Sequence, residues 1–171
     1  MSVTDITDTR QYLTFRLGEE VFALDVVNVR EILEFTTATK VPRTPQYMRG
    51  VINLRGSVVP VLDMRLKFGL TETVKTIDTC IIVAEVVFDN ETTIIGALVD
   101  SVQEVFELEP GQIEPAPKIG IQLKTDFIKG MGKRDEKFII ILDINKIFTA
   151  EEMTLARDAA SEEEVRMAGN E

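Results

Sequence analysis

Apolar residues recur along most of this chain at a period of two or in short unbroken runs, the pattern of half-buried and buried strands. Leu13, Phe15 and Leu17 share one face of a strand over Gln11 to Leu17, Gly18-Glu19-Glu20 turns the chain, and Val21 to Leu24 returns as its hairpin partner. Val26, Val27, Val29, Ile32 and Leu33 in the stretch to Phe35 fit either a strand or about two helical turns capped by Asp25. Pro42 and Pro45 punctuate a loop before two short strands, Gly50 to Leu54 and Val58 to Leu62, hinged at Arg55-Gly56-Ser57. Cys80 to Phe88 and Thr92 to Val99 form a long hairpin about Asp89-Asn90, which Val102 to Leu108 continues. Pro110-Gly111, Pro115 and Pro117 mark another loop, and Phe138 to Leu142 is the last strand. The pattern then changes: Thr149-Ala150-Glu151-Glu152 reads as a capping box that opens a C-terminal helix. That helix has only Met153, Ala156, Ala159 and Ala160 to bury, so fraying is expected beyond Ser161.

The strands are arranged in an internal repeat. At an offset of 80 residues, Tyr47-Met48-Arg49-Gly50 parallels Phe127-Ile128-Lys129-Gly130. Eight residues after each glycine, Val58-Val59-Pro60-Val61-Leu62-Asp63-Met64 parallels Phe138-Ile139-Ile140-Ile141-Leu142-Asp143-Ile144, and Phe68 matches Phe148. At an offset of 73, Val29-Arg30-Glu31-Ile32 parallels Val102-Gln103-Glu104-Val105. Each half therefore reads as hairpin, V-x-E-[IV] segment, proline-bearing loop, glycine, strand, Leu-Asp and apolar turn, and a shared order of elements implies duplicated units. The expected architecture is mainly β: two similar five-stranded lobes with a groove between them, the natural place for a ligand or partner. Residues 1–10 are expected to be flexible, 11–150 to form one domain of two lobes, and 151–171 to form a helix with an acidic tail.

Composition narrows the function. The chain has no histidine, which removes Ser-His-Asp and Cys-His nucleophile systems and the commonest zinc ligand. Its single cysteine permits no internal disulfide, and Cys80, within CIIVAEVV, reads as a small buried hydrophobe. A net charge of -10 has the wrong sign for neutralising phosphates along nucleic acid. The start MSVTDITDTRQ lacks the basic and apolar regions of a signal peptide, and no apolar run approaches the roughly 20 residues of a membrane helix. A cytoplasmic protein is expected. Charge is nevertheless segregated: Lys40 to Lys67 holds six basic residues against Asp63 alone, while Phe68 to Glu114 holds ten acidic residues against Lys75. One surface should then be positive, and it keeps open a β-barrel that binds nucleic acid or a small ligand through Lys40 to Lys67.

Candidate chemistry is sparse. Glu19-Glu20, Glu151-Glu152 and Glu162-Glu163-Glu164 lie in turns or exposed helix, where nothing would shift their pKa values for acid-base work. Asp63 and Asp143 end strands at equivalent repeat positions and read as caps rather than metal ligands. No phosphate loop is present. No catalytic, metal-binding or cofactor-binding residue is assigned.

The string GVINLRGSVVPVLDMRLKF, Gly50 to Phe68, strongly resembles the signature of the CheW family of bacterial chemotaxis coupling proteins. YLTFRLGEEVFALDVVNVREIL, Tyr12 to Leu33, and GALVDSVQEVFELEPGQIEPAP, Gly96 to Pro117, resemble the same family's other landmarks in the same order. The resemblance implies two small SH3-like β-barrels, no catalysis, and a cytoplasmic adaptor recruited to membrane-associated receptor arrays. Its implied partners are the cytoplasmic tip of methyl-accepting chemoreceptors and the regulatory domain of the CheA histidine kinase. Carried over by position, Val29, Glu31, Gly96, Val99, Val102 and Val105 would form the receptor-contacting groove, with alternate valines filling the core instead. Arg55 would lie on the coupling surface, either pairing with a partner or bracing its own turn. Gly50 and Gly56, and with them Gly130, Asp63 and Asp143, would serve the backbone. Within the family, the coupling protein of a non-flagellar, pilus-type chemosensory array is the alternative.

Overall fold

The computed structural model describes residues 9–115, 127–134 and 136–168. The N-terminal residues expected to be flexible lie outside these up to residue 8, as do Pro117 and the last three residues of the acidic tail.

Among the described residues, eleven strands form two sheets. Strands β1 (Arg10–Leu17) and β2 (Glu20–Asp25) are the first hairpin. The ambiguous stretch after Asp25 resolves into both alternatives in turn. Asp25 accepts a bond from the Val27 amide and caps one 3-10 turn, Val26–Asn28, and β3 (Val29–Glu34) follows. Next come β4 (Met48–Leu54), β5 (Ser57–Asp63) and the single-turn helix α1 (Met64–Lys67). The second half repeats this order with β6 (Cys80–Phe88), β7 (Glu91–Val99), β8 (Ser101–Leu108), the two-residue β9 (Ile113–Glu114), β10 (Ile128–Arg134), β11 (Lys137–Leu142) and α2 (Ile144–Ile147). Helix α3 (Ala150–Ala168) closes the fold.

One sheet has the order β8-β1-β2-β11-β10-β9 and the other β3-β6-β7-β5-β4. Apart from β9 the two orders are the same in repeat terms, but each hairpin is completed by strands from the opposite half. Strand β3 pairs with β6, and β8 pairs with β1. This corrects the expectation that Val102 to Leu108 extends the β6–β7 hairpin. The chain crosses to the other sheet after Val99, and Asp100 marks the crossing, its amide donating to the Arg16 carbonyl.

Among the described residues, three apolar clusters follow from the two-residue period. Leu13, Phe15 and Leu17 of β1 face Ile82, Ala84 and Val86 of β6 in a central core between the sheets. The opposite faces close over smaller clusters of their own, Tyr12, Phe106 and Ile141 in one lobe and Val59, Ile81 and Leu98 in the other. Aromatic contacts cross the repeat: Phe68 of the first half stacks on Phe127 of the second, and Phe148 of the second lies against Tyr47 of the first.

The repeated aspartates are caps. Asp63 starts α1 and Asp143 starts α2, each accepting from the backbone amide two residues on. The register shifts one residue before each repeated glycine, between Met48 and Gly50 and between Ile128 and Gly130. Gly50 has φ 140° and a Cβ there would lie 2.3 Å from the Thr39 carbonyl oxygen, so no other residue fits. Arg55 and Gly56, both with positive φ, make the two-residue turn between β4 and β5. The capping box of α3 is present: Thr149 Oγ1 accepts from the Glu152 amide and Glu152 Oε1 from the Thr149 amide. Contrary to the expected fraying past Ser161, α3 continues to Ala168, because neither Gly nor Pro interrupts its helix-forming residues before Gly169.

Candidate functional site

The positions proposed from sequence for partner contact sort by strand parity. Val29 on β3 and Val102 on β8 are half-buried and pack against the central core from edge strands of opposite sheets. Val105, opposite Leu13 and so on the same face as Val102, is 52% exposed. Val99 and Gly96 are buried on the central strand β7, Val99 completely, the core-filling place expected of alternate valines in the set. Val99 fills the central core, whereas a Cβ on Gly96 would meet Ile81 at 2.8 Å in the small core of its lobe.

Glu31 and Arg55 come together. Arg55 donates from Nη1 to Glu31 Oε2 at 2.6 Å and from Nη2 to Oε1 at 3.0 Å, a bidentate pair between β3 and the β4–β5 turn. Since β3 and β4 are the two edges of their sheet, the pair ties one edge to the other where the sheet curls. Arg55 thus braces the sheet from edge to edge rather than its own turn. The hydrogen bond from Arg55 holds the Glu31 carboxyl below its ordinary value, and Glu31 raises Arg55 in return. Arg55 remains 74% exposed at its side chain, so the pair is a surface feature. Beside it Arg30 bonds Glu85 at 2.6 Å.

Ile32 is the residue the sequence reading passed over. It stands opposite Ile82 and is 45% exposed, on the face that turns to the central core. The signal was available, because Ile32 is the repeat counterpart of Val105. Cys80 is half-buried rather than buried; burial raises its thiol pKa, against a smaller lowering by a backbone hydrogen bond from Val102.

The basic segment does not form a free positive surface. Arg49 pairs with Asp63 and Glu72, Arg55 with Glu31, Arg65 with Asp100 and Lys67 with Glu152. Four of its six cations are thus held by carboxylates, which removes the basis for nucleic-acid binding there. Lys67 also lies over the rings of Tyr47 and Phe148. Burial works to raise the Glu152 pKa, but the bonds from Lys67 and the Thr149 amide keep it below the ordinary value. Burial and the neighbouring Glu152 raise the Tyr47 phenol. Among the described residues no three His, Cys, Asp or Glu side chains gather to hold a metal, and no helix is long and apolar enough to cross a membrane.

Residues 11–152 match the family model described as a CheW-like domain. The chemotaxis protein CheW of Klebsiella aerogenes is 34% identical over 151 residues, 88% of this chain and 89% of that protein. The probable chemotaxis protein CheW of Rhizobium etli is 34% identical over 147 residues, 86% and 92% of the two chains. The crystal structure of the scaffolding protein TtCheW from Thermoanaerobacter tengcongensis superposes with a TM-score of 0.73 at 34% identity, covering 84% of this chain and 90% of that one. The fold, the landmark strings and these relatives agree: the chain belongs to the CheW family of chemotaxis scaffold and adaptor proteins, which are not enzymes.

Proposed function

We propose that this adaptor couples methyl-accepting chemoreceptors to a CheA-type histidine kinase, and that the receptor tip docks at Val29, Val102 and Val105, with Ile32 joining them. The observation that carries the reading is the pairing of half-exposed β-branched side chains on two edge strands with a fixed ion pair beside them. Such side chains suit the apolar face of a receptor helix. The Glu31–Arg55 pair holds β3 in place and adds a charged feature that sets register more than affinity. Gly96 and Val99 contribute by packing behind the surface. The kinase regulatory domain, a like-folded module, takes a different face of the protein, and the assembly is recruited to the membrane through its receptor.

The test is titration calorimetry of the purified chain against a receptor-tip fragment and, separately, the CheA regulatory domain of the same organism. Saturable binding to both, with receptor binding weakened by Val105→Asp, is the expected result. Binding of the folded protein to neither overturns the coupling role, and undiminished receptor binding by Val105→Asp overturns the docking surface.

A further inference from the structure

The internal repeat exposes an asymmetry. In the lobe built on β4 and β5, helix α3 packs along both strands, and Met153 and Ala159 share the central core with Val51 and Val58. Val51 stands opposite Pro60, and both are buried. In the other lobe the repeat counterparts are Met131 opposite Ile140, in the same register, with Phe138 in the place of Val58. Among the described residues no helix packs along β10 or β11, whose neighbours are β2 and β9. Met131 and Ile140 are only half-buried and Phe138 is 54% exposed. The first half of the chain has no helix to return the favour of α3, because the segment after α1 and Phe68 runs as a loop to Thr79.

We infer that Met131, Phe138 and Ile140 form a second helix seat, equivalent to the one α3 occupies, which takes an acidic amphipathic helix from a partner protein. The geometry of the filled seat specifies the occupant: a helix with apolar residues at the three-residue spacing of Met153, Ala156 and Ala159, all buried in α3. Charge specifies its flank. Lys133 is directly opposite Phe138, and so on the face of the seat, where the other lobe has Asn53 opposite Val58. Lys133 is exposed and, among the described residues, carries no ion pair. Glu114 sits opposite Met131 at the far end of the strip, so the acidic residues of the partner lie toward Lys133. A second copy's α3 is disfavoured as occupant, since it is fastened to its own seat by Lys67–Glu152 at 2.6 Å and by Arg157 to Thr93 and Glu91 at 2.9 and 3.2 Å.

The probe is a stapled synthetic peptide of this chain's own segment 150–168, which has the required stripe and acidic flank, titrated into the full-length protein with labelled methionine and isoleucine methyl groups. Saturable shifts at Met131 and Ile140 are expected. Phe138→Asp, at an exposed position that leaves folding intact, should weaken the binding at least about tenfold, and Lys133→Glu should weaken it in a salt-dependent way. No shift up to millimolar peptide, shifts confined to the seat of α3, or shifts insensitive to Phe138→Asp each overturn the inference. Sedimentation of the protein alone completes the test: a dimer abolished by Phe138→Asp would give the seat to a second copy and overturn the partner assignment, whereas a monomer supports it.

Discussion

The two repeated aspartates permit a controlled experiment inside one molecule. Asp63 is fully buried and accepts bonds from the amides of Arg65 at 3.0 Å and Leu66 at 3.4 Å, the Thr73 amide at 3.0 Å, the Thr73 hydroxyl at 2.7 Å and Arg49 Nη1 at 3.3 Å. Asp143, its repeat counterpart, is 9% exposed and its side chain accepts from the Asn145 amide at 3.1 Å. Replacing Asp143 by alanine should therefore cost about 1 kcal/mol, the ordinary loss of a helix cap. Asp63→Ala loses the same cap and also strands the two Thr73 donors, at a residue only 4% exposed, for a further 1 to 3 kcal/mol by order of magnitude. Arg49 keeps the Thr73 carbonyl and Glu72, which limits its share. The expected total for Asp63→Ala is about 2 to 4 kcal/mol, overlapping the range for breaking a buried ionic network. Because the chain has no tryptophan, urea unfolding followed by far-ultraviolet circular dichroism is the suitable assay. With a slope of about 2 kcal/mol per molar urea, the two midpoints should differ by about 0.5 to 1.5 M. Equal midpoints at equal slopes would refute the reasoning, since they would mean that Asp63 acts only as a cap and that Thr73 finds other partners at no cost.

Glu31→Lys should weaken calorimetric binding of a receptor tip while leaving the unfolding curve unchanged, because the pair it breaks is at the surface. The charge-swapped pair Glu31→Arg with Arg55→Glu should restore binding if the pair acts as a brace, and failure to restore it would refute that role. Val102→Asp or Val105→Asp should cost at least about 2 kcal/mol of receptor affinity, roughly thirtyfold, if these positions are hot spots; wild-type affinity in a folded variant removes them from the surface. The Glu152 pKa is depressed from 4.5 in the folded protein, so its pairing with Lys67 contributes stability above that pH and loses it as pH falls through the folded value. Lys67→Met should lower stability near neutral pH and flatten its decline below about pH 4.5; an unchanged pH profile would show that the pair contributes nothing.

Much of the fold was legible because it is local. Alternation over Leu13, Phe15 and Leu17, the turn at Gly18, the caps at Asp63 and Asp143 and the Thr149–Glu152 box are all specified within a few residues, and the structure contains each of them. The repeat was legible for a different reason: the same side chains solve the same packing problem twice, down to the register shift before Gly50 and Gly130. Pairing partners were not legible. Nothing near Val102 states that β8 will pair with β1, about 90 residues away, instead of joining the hairpin it follows. The candidate site suffered from the same limit. Val99 and Val102 look alike in sequence, and only the crossing at Asp100 sends one into the core and leaves the other at an edge. The Glu31–Arg55 pair spans 24 residues and depends on the curl of a whole sheet, so the two residues could be named separately but not joined.

The exchange of strands between halves also sets an order of events during synthesis. Strand β2, complete at Asp25, takes Ala23 and Phe22 into parallel register with Ile141 and Ile140 of β11. On the ribosome the first hairpin must therefore wait, one apolar face without its permanent neighbour, until almost the whole chain has emerged. The sheet of the middle lobe, β3 to β7, is complete by Val99 and can form first, with α3 docking on β4 and β5 later. The nascent protein thus has a natural folding sequence, inner segment before outer ends, and its earliest residues are among the last to be enclosed.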